Sequence, residues 1–193
     1  MHTPPTPKRL ILASTSIYRR ALLQRLHLPF DTANPAVDET PLSGETPVQT
    51  AERLAVAKAQ AVANAFPGSL IIGSDQVAYL GNRTFGKPLV RERAIAQLLE
   101  LRGRTVVFHT ALCLFNSANG RTQRRGVPTE VRFRQLNEAE IERYVGREQP
   151  FNCEGSAKSE GLGISLLEYM RGDDPTALIG LPLIALCEML RNE

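Results

Sequence analysis

Apolar and polar positions fall into blocks along this chain, and the period changes from block to block. Leu10-Ile11-Leu12-Ala13 is an unbroken apolar run with the length of a short buried strand. Ser14, Thr15 or Ser16 can then cap a helix that carries Tyr18, Leu22 and Leu26 along one face. Thr46-Pro47-Val48-Gln49 has the form of a capping box with Pro at the first helical position. Ala51, Ala55, Ala59, Val62 and Phe66 continue it at helical spacing until Pro67-Gly68. Ile71-Ile72-Gly73-Ser74-Asp75-Gln76-Val77 reads as a buried strand running into a polar turn. Gly81-Asn82 suggests a hairpin turn, with the chain returning through Phe85-Gly86-Lys87-Pro88.

Val90 to Leu101 predicts a helix with Ala94, Leu98 and Leu101 inward, ended by Gly103. Thr105 to Phe115 predicts a long strand, Asn116 to Gly120 a polar turn, and Val127 to Phe133 the returning partner. Asn137-Glu138-Ala139-Glu140 opens another helix in capping-box form. A Gly-rich loop from Cys153 to Gly163 follows, and Pro182 begins a closing helix through Leu190. Helices and strands alternate, a two- or three-stranded antiparallel section follows, and helices return. The fold class is α/β with a mixed sheet flanked by helices. No internal repeat or linker marks a boundary, so residues 8–193 read as one domain behind a tail of residues 1–7.

Three placements depart from this pattern. Asp75 ends an apolar run, and a carboxylate there is costly unless a metal, a cation or a mobile proton accompanies it; the bland reading is a turn cap. Lys58 lies toward the apolar face of its helix, where it either snorkels or points into a cleft; spacing leaves both open. Arg19 and Arg20 occupy a first helical turn, where cations oppose the helix dipole. They are either a solvated pair or part of an anion site at the helix start, to which Ser14 adds a hydroxyl. With Val37-Asp38-Glu39-Thr40 and Phe85-Gly86-Lys87-Pro88, these islands gather the groups that phosphate plus a divalent metal would call for.

The 193 residues suffice for one proper core, or for two lobes sharing a sheet. The net charge of +3 suits an anionic substrate. It supports nucleic-acid binding only weakly, because basic residues do not interleave with aromatics. Arg121-Thr122-Gln123-Arg124-Arg125 reads as a solvated loop or strand edge. Cys113, Cys153 and Cys187 show no CxxC spacing, and His2, His27 and His109 are scattered, so neither a disulfide framework nor a zinc site is expected. With no bilayer-length apolar stretch and no apolar signal segment before Arg9, the expectation is a cytoplasmic protein without membrane contact.

The islands, in their order and spacing from Lys8 to Leu190, resemble the Maf family of nucleoside triphosphate pyrophosphatases. The matching pieces are Leu12-Ala13-Ser14 with Ser16 and Arg19-Arg20; Val37-Asp38-Glu39; Arg53, Ala55, Lys58 and Ala59; Ser74-Asp75; Gly86-Lys87-Pro88; and Gly180-Leu181-Pro182. Each piece alone is a weak signal, but the ordered set is specific. The stretch Cys153-Glu154-Gly155-Ser156-Ala157-Lys158-Ser159-Glu160-Gly161 looks like the subgroup acting on 7-methyl-GTP. The dTTP/UTP-type subgroup carries Gln in place of Glu160, Arg in place of Tyr18 and Thr in place of Gln76. This chain departs from the family at Ile17, where Pro is usual, and from the 7-methyl-GTP subgroup at Tyr18, where Trp is usual.

The resemblance implies a two-lobed, Ham1-like α/β fold with a central cleft, and release of pyrophosphate from a nucleoside triphosphate. In that reading Asp75 is the proton acceptor for the attacking water, or shares a divalent cation, magnesium or manganese, with Glu39. Ser14, Arg19, Lys58 and Lys87 hold the phosphates, Arg20 is structural, and Lys158 is a further phosphate contact. Tyr18, Gln76 and Glu160 set substrate specificity. A ring face attracts the positive charge of an N7-methylated guanine, and a carboxylate accepts from its N1–H and 2-amino group. A homodimer is the protein assembly the family suggests, although no interface signature stands out. Two alternatives remain: a family member with another nucleotide preference, and a nucleotide-binding regulator of septum formation with little turnover.

Overall fold

The apolar run at residues 10–13 becomes strand β1 (Leu10–Ala13), buried on both faces between two parallel neighbours. Those neighbours are β2 (Phe30–Ala33) and β3 (Leu70–Leu80). The computed structural model describes residues 8–193, and the expected tail of residues 1–7 lies outside the described residues. Alternation divides the side chains of β1 between two cores, Leu10 and Leu12 on one face and Ile11 and Ala13 on the other. The first face is covered by α1 (Ile17–Gln24) and α5 (Leu183–Arg191), the second by α2 (Pro47–Ala61).

Strand β3 is where the sheet changes character. One edge pairs parallel with β1 and the other antiparallel with β5 (Thr105–Asn116). β5 pairs with β6 (Thr122–Phe133), β6 with β7 (Leu167–Arg171), and β4 (Arg83–Phe85) folds back on β3. The seven strands form one mixed sheet in the order β2-β1-β3-β5-β6-β7, with β4 beside β3. α3 (Arg91–Leu101) and α4 (Glu138–Glu148) cover the antiparallel end with a separate apolar cluster that includes Phe108, Phe133 and Tyr144. The α/β class with a mixed, helix-flanked sheet is as the pattern predicts.

Several details differ from the sequence pattern. β3 runs on through Ser74-Asp75-Gln76 to Leu80 where the pattern predicts a polar turn, and β6 begins at Thr122 and not near Val127. The antiparallel part involves five strands, β3 to β7, and not two or three. β2 and β7 escape notice because both are short edge strands with polar, largely exposed residues, supported by one neighbour only. α2 ends at Ala61 and not at Phe66, because a single 3-10 turn at Ala63–Ala65 carries the chain onward with Ala65 N–H bonded to Val62 O. Over one turn, spacings of three and of three to four residues cannot be told apart.

The pairing along the β1 side of β3 is interrupted. β1 is in register through Leu12↔Ile72, and β4 begins at Ala78↔Phe85. Residues 73–77 are left without a partner strand on that side. β1 turns away into α1 at one lip of this gap, and β4 leads into Gly86-Lys87 at the other. A change of strand partners that leaves a crevice at strand ends is where open α/β sheets bind ligands.

Candidate active site

Asp75 sits in the gap, on the face of β3 that meets α2, and is 8% exposed. Its neighbour Gly73 explains how α2 comes so close: a Cβ there would lie 2.0 Å from Ala55 O and 2.8 Å from Ala59 N. With that contact made, Lys58 projects from α2 straight at the gap. Its Nζ lies 2.6 Å from Asp75 Oδ1 and 2.7 Å from Glu39 Oε1. The lysine left undecided by helical spacing thus points into a cleft and bridges two carboxylates. The Glu39 loop is fastened to α2 by Arg53, which donates through Nη2 to Thr40 O at 3.1 Å and to Glu45 Oε2 at 2.9 Å. Asp75 is no mere turn cap, because its partner is a buried cation across 17 residues of sequence.

Burial raises the proton affinity of Asp75, Lys58 and Arg19 oppose that, and Glu39 adds to it; the net shift is upward. Glu39 is also pushed up by burial, but its bond to Lys58 and the Lys58 charge outweigh this and hold it below its ordinary value. Arg19 packs behind them. Its Nε donates to Gly180 O at 2.9 Å, and burial lowers its proton affinity against the pull of Asp75, Glu154 and Glu39. Ser74 Oγ, on the opposite face from Asp75, lies 2.9 Å from both Ala111 O and Gly180 O. The Gly180 carbonyl therefore holds the helix α1 arginine against the strand that carries Asp75. Gly180 has φ +112°, a conformation that side chains with a Cβ rarely adopt.

Ser16, of the three hydroxyl residues considered, caps α1, its side chain accepting from Arg19 N–H. Ser14 Oγ accepts from Ser16 N–H at 3.1 Å and borders the same cleft. Arg20 points away to the outer face beside Gln24 and Asp31, its side chain exposed and without a hydrogen bond or ion pair to the described residues. Lys87 enters the cleft on the β4–α3 loop. The hairpin does bring it back, but its ion partner is Glu154, at 4.0 Å, and not Asp75.

The other end of the cleft is built by the loop 153–163. Tyr144 Oη donates to Ser156 O and accepts from Lys158 N–H, both at 3.1 Å. Glu148 accepts from Leu162 N–H at 2.6 Å and from Lys158 Nζ at 2.7 Å. Lys158, expected as a further phosphate contact, is thereby tied to α4 and is not among the residues that line the cleft with Asp75 and Lys58. Glu160 borders the cleft with Tyr18 and Cys153. Burial and Cys153 raise the Tyr18 hydroxyl, and burial followed by Glu160 pushes the Cys153 thiol up to about 11. Gln76 is less free than expected. Its Nε2 lies 2.8 Å from Thr110 Oγ1 and 3.0 and 3.1 Å from Ala177 O and Leu178 O. Three converging acceptors claim the amide nitrogen, so only Oε1 remains for a ligand.

One cleft of about 880 Å³ thus collects Ser14, Tyr18, Arg19, Glu39, Lys58, Asp75, Gln76, Lys87 and Glu160. It also contains Glu154, which sequence reasoning passed over. Burial, against Lys87 and with Asp75, pushes its carboxyl up to about 7. No periodicity marks a residue in an irregular loop, and only its neighbourhood reveals it.

The carboxylates suit a hard divalent cation. Asp75 and Glu39 already converge on one positive centre, the Lys58 ammonium, through one oxygen each. Oδ2 of Asp75 and Oε2 of Glu39 accept no bond from the described residues, and no set of three or more His, Cys, Asp or Glu side chains gathers there into a metal cage. One or two carboxylates completed by substrate phosphates is the manner in which magnesium is usually held.

A family model described as "Maf-like protein" matches residues 9–193. Among curated relatives, a 7-methyl-GTP pyrophosphatase of Nitrosospira multiformis is 58% identical over 100% of this chain and 98% of its own length. Proteins of the same name from Aromatoleum aromaticum and Thiobacillus denitrificans are each 59% identical, covering 96% and 99% of this chain and 95% and 94% of their own. Among solved structures, the Staphylococcus aureus Ham1 protein aligns at TM-score 0.47 and 16% identity, over 66% of this chain and 73% of that one.

Proposed function

The chain belongs to the Maf family, and from that premise we propose that it hydrolyses 7-methyl-GTP to 7-methyl-GMP and pyrophosphate. The observation that carries this reading is that one cleft has a charged end, with Asp75 and Lys58 buried beside Glu39 and Arg19, and a second end lined by Tyr18 and Glu160.

Asp75 acts as the proton acceptor. Its raised proton affinity suits a base that takes a proton from water as the oxygen attacks the α-phosphorus. The bond from that phosphorus to the bridging oxygen breaks, and pyrophosphate leaves. Lys58 orients the Asp75 carboxylate and, with Arg19 and Lys87, faces the charge that grows on the phosphate oxygens. Ser14, at the start of α1, adds a hydroxyl to that anion site. A magnesium or manganese ion held by the free oxygens of Asp75 and Glu39 would supply further charge neutralisation.

At the other end, the Tyr18 ring offers its negative face to the cationic base. Glu160 and Gln76 Oε1 are acceptors, matched to the N1–H and 2-amino donors of guanine. Uracil and thymine present a single N–H between two carbonyls and would meet repulsion from Glu160. The three cysteines are free, which suits a reducing, cytoplasmic setting. Removal of modified nucleotides before their incorporation into RNA is the role this chemistry would serve.

Pyrophosphate release by purified protein with magnesium or manganese tests the reading, with 7-methyl-GTP, GTP, dTTP and UTP compared. The expected result is a clear preference for 7-methyl-GTP. Preference for dTTP or UTP would overturn the assignment of Tyr18 and Glu160, and release from none would leave a nucleotide-binding protein.

A further inference from the structure

Glu154 stands between the two ends of the cleft. Its chain neighbour Cys153 borders Tyr18 and Glu160 at the base end. Its own carboxylate lies 4.0 Å from Lys87 Nζ at the phosphate end, and its charge is felt by Arg19. The side chain is 20% exposed, and that exposure is to the cleft. No hydrogen bond reaches it from the described residues, since Lys87 at 4.0 Å is beyond hydrogen-bonding distance. This contrasts with Asp75 and Glu39, which each share Lys58 at bonding distance.

A largely buried carboxylate without donors is costly, and its proton affinity is raised accordingly. Its oxygens open into the cleft, so water supplies the donors there until a ligand displaces it. Phosphate oxygens cannot supply them, because they accept and carry like charge. The base is engaged further along, at Tyr18 and Glu160. What joins base to phosphates in a nucleotide is the sugar, and its hydroxyl groups are donors. Two bonds hold the loop in place to meet that sugar. Ser156 Oγ donates to Gln97 Oε1 at 2.5 Å, and Gln97 Nε2 donates to Gly86 O at 3.0 Å. The Glu154 loop and the Lys87 loop are thereby linked through one side chain.

We propose that Glu154 accepts hydrogen bonds from the ribose hydroxyls of the substrate and makes this cleft selective for ribonucleotides over 2′-deoxynucleotides. The proposal rests on the reading of the cleft as a nucleoside triphosphate site, but not on which base it prefers.

The test is kcat/KM for a ribonucleotide and its 2′-deoxy counterpart, 7-methyl-GTP against 7-methyl-2′-deoxy-GTP, in the wild type, Glu154→Ala and Glu154→Gln. The wild type is expected to favour the ribonucleotide by about tenfold or more, as a site built for a substrate hydroxyl rejects the analogue lacking it. Glu154→Ala should bring the ratio toward one, losing activity mainly on the ribonucleotide. Glu154→Gln keeps an acceptor carbonyl and should retain part of the preference while losing its charge beside Lys87. If 7-methyl-GTP is not a substrate, the proposed base preference fails, and the same ratio is read from GTP and dGTP or UTP and dUTP. If no nucleotide is hydrolysed, the ratio is read from the binding of those pairs by calorimetry. A wild type indifferent to the 2′-hydroxyl would overturn the proposal. So would variants that weaken both sugars equally, which would make Glu154 only a partner of Lys87 or of the cation.

Discussion

The two ends of the cleft are made differently. The proposed phosphate end is centred on regular elements, with Asp75 on a central strand, Lys58 on α2 and Arg19 on α1, all joined by short bonds to each other or to Gly180, and loops add only Glu39 and Lys87. The proposed base end takes Tyr18 from the first turn of α1 and Glu160 from the loop 153–163, and these are partly or largely exposed. Buried, mutually bonded groups have one arrangement available, which is what a reaction needs. Exposed groups on a loop contribute to the choice of ligand without supporting the fold. Substitutions at one end should therefore change turnover and stability together, whereas those at the other should change preference alone.

The sharpest way to break this contrast is Asp75→Asn. Turnover should fall by roughly 10²–10⁴-fold while nucleotide binding persists, which single-turnover kinetics and calorimetry would measure. Near-normal turnover would remove Asp75 from the role of base. Lys58→Met comes next. It leaves Asp75 buried without its cation and should lower stability by roughly 1–3 kcal/mol as well as activity. The loss is limited because Asp75 can take up a proton and Glu39 is more than half exposed. Combined with Asp75→Asn, its effect on denaturant stability should be less than additive, since both changes dissolve one contact.

At the base end, Glu160→Gln should leave the melting temperature unchanged. It should shift preference away from 7-methyl-GTP toward uridine and thymidine nucleotides by about tenfold, read from kcat/KM across the panel. A parallel loss for every base would make Glu160 part of the chemistry and erase the distinction between the ends. The smallest effect belongs to Lys158→Met. Its pair with Glu148 only ties the loop to α4, and about 0.2–1 kcal/mol of stability should be lost with kcat intact. A marked fall in kcat would return Lys158 to the phosphate site.

Much of this was legible in the chain. The capping boxes at Thr46 and Asn137 mark two helix starts through local bonds alone, and both form. The placement of Asp75 at the end of an apolar run flagged a charge needing a partner, and the partner exists. Glu154 could not be found in this way, because it lies in an irregular loop that packs on Phe108 through Gly155 and meets the charges of Lys87 and Arg19 only once distant elements assemble. Gln76 was visible as a polar residue in a strand. That its nitrogen is consumed by the carbonyls of Ala177 and Leu178, about a hundred residues on, was not.

The sequence by itself determined most helix starts and the central strands, the mixed α/β class, and the set of charged residues available for phosphate chemistry. Those follow from periodicity and capping, which act over a few residues. Only the tertiary structure decided which charges meet. The break in pairing between β1 and β4 along β3 opens the cleft, Gly73 admits α2 close enough for Lys58 to bridge Asp75 and Glu39, and the Cys153–Gly163 loop folds over to set Glu154 and Glu160 along one cleft. Contacts between residues distant in sequence depend on how whole elements pack, and no local pattern carries that information.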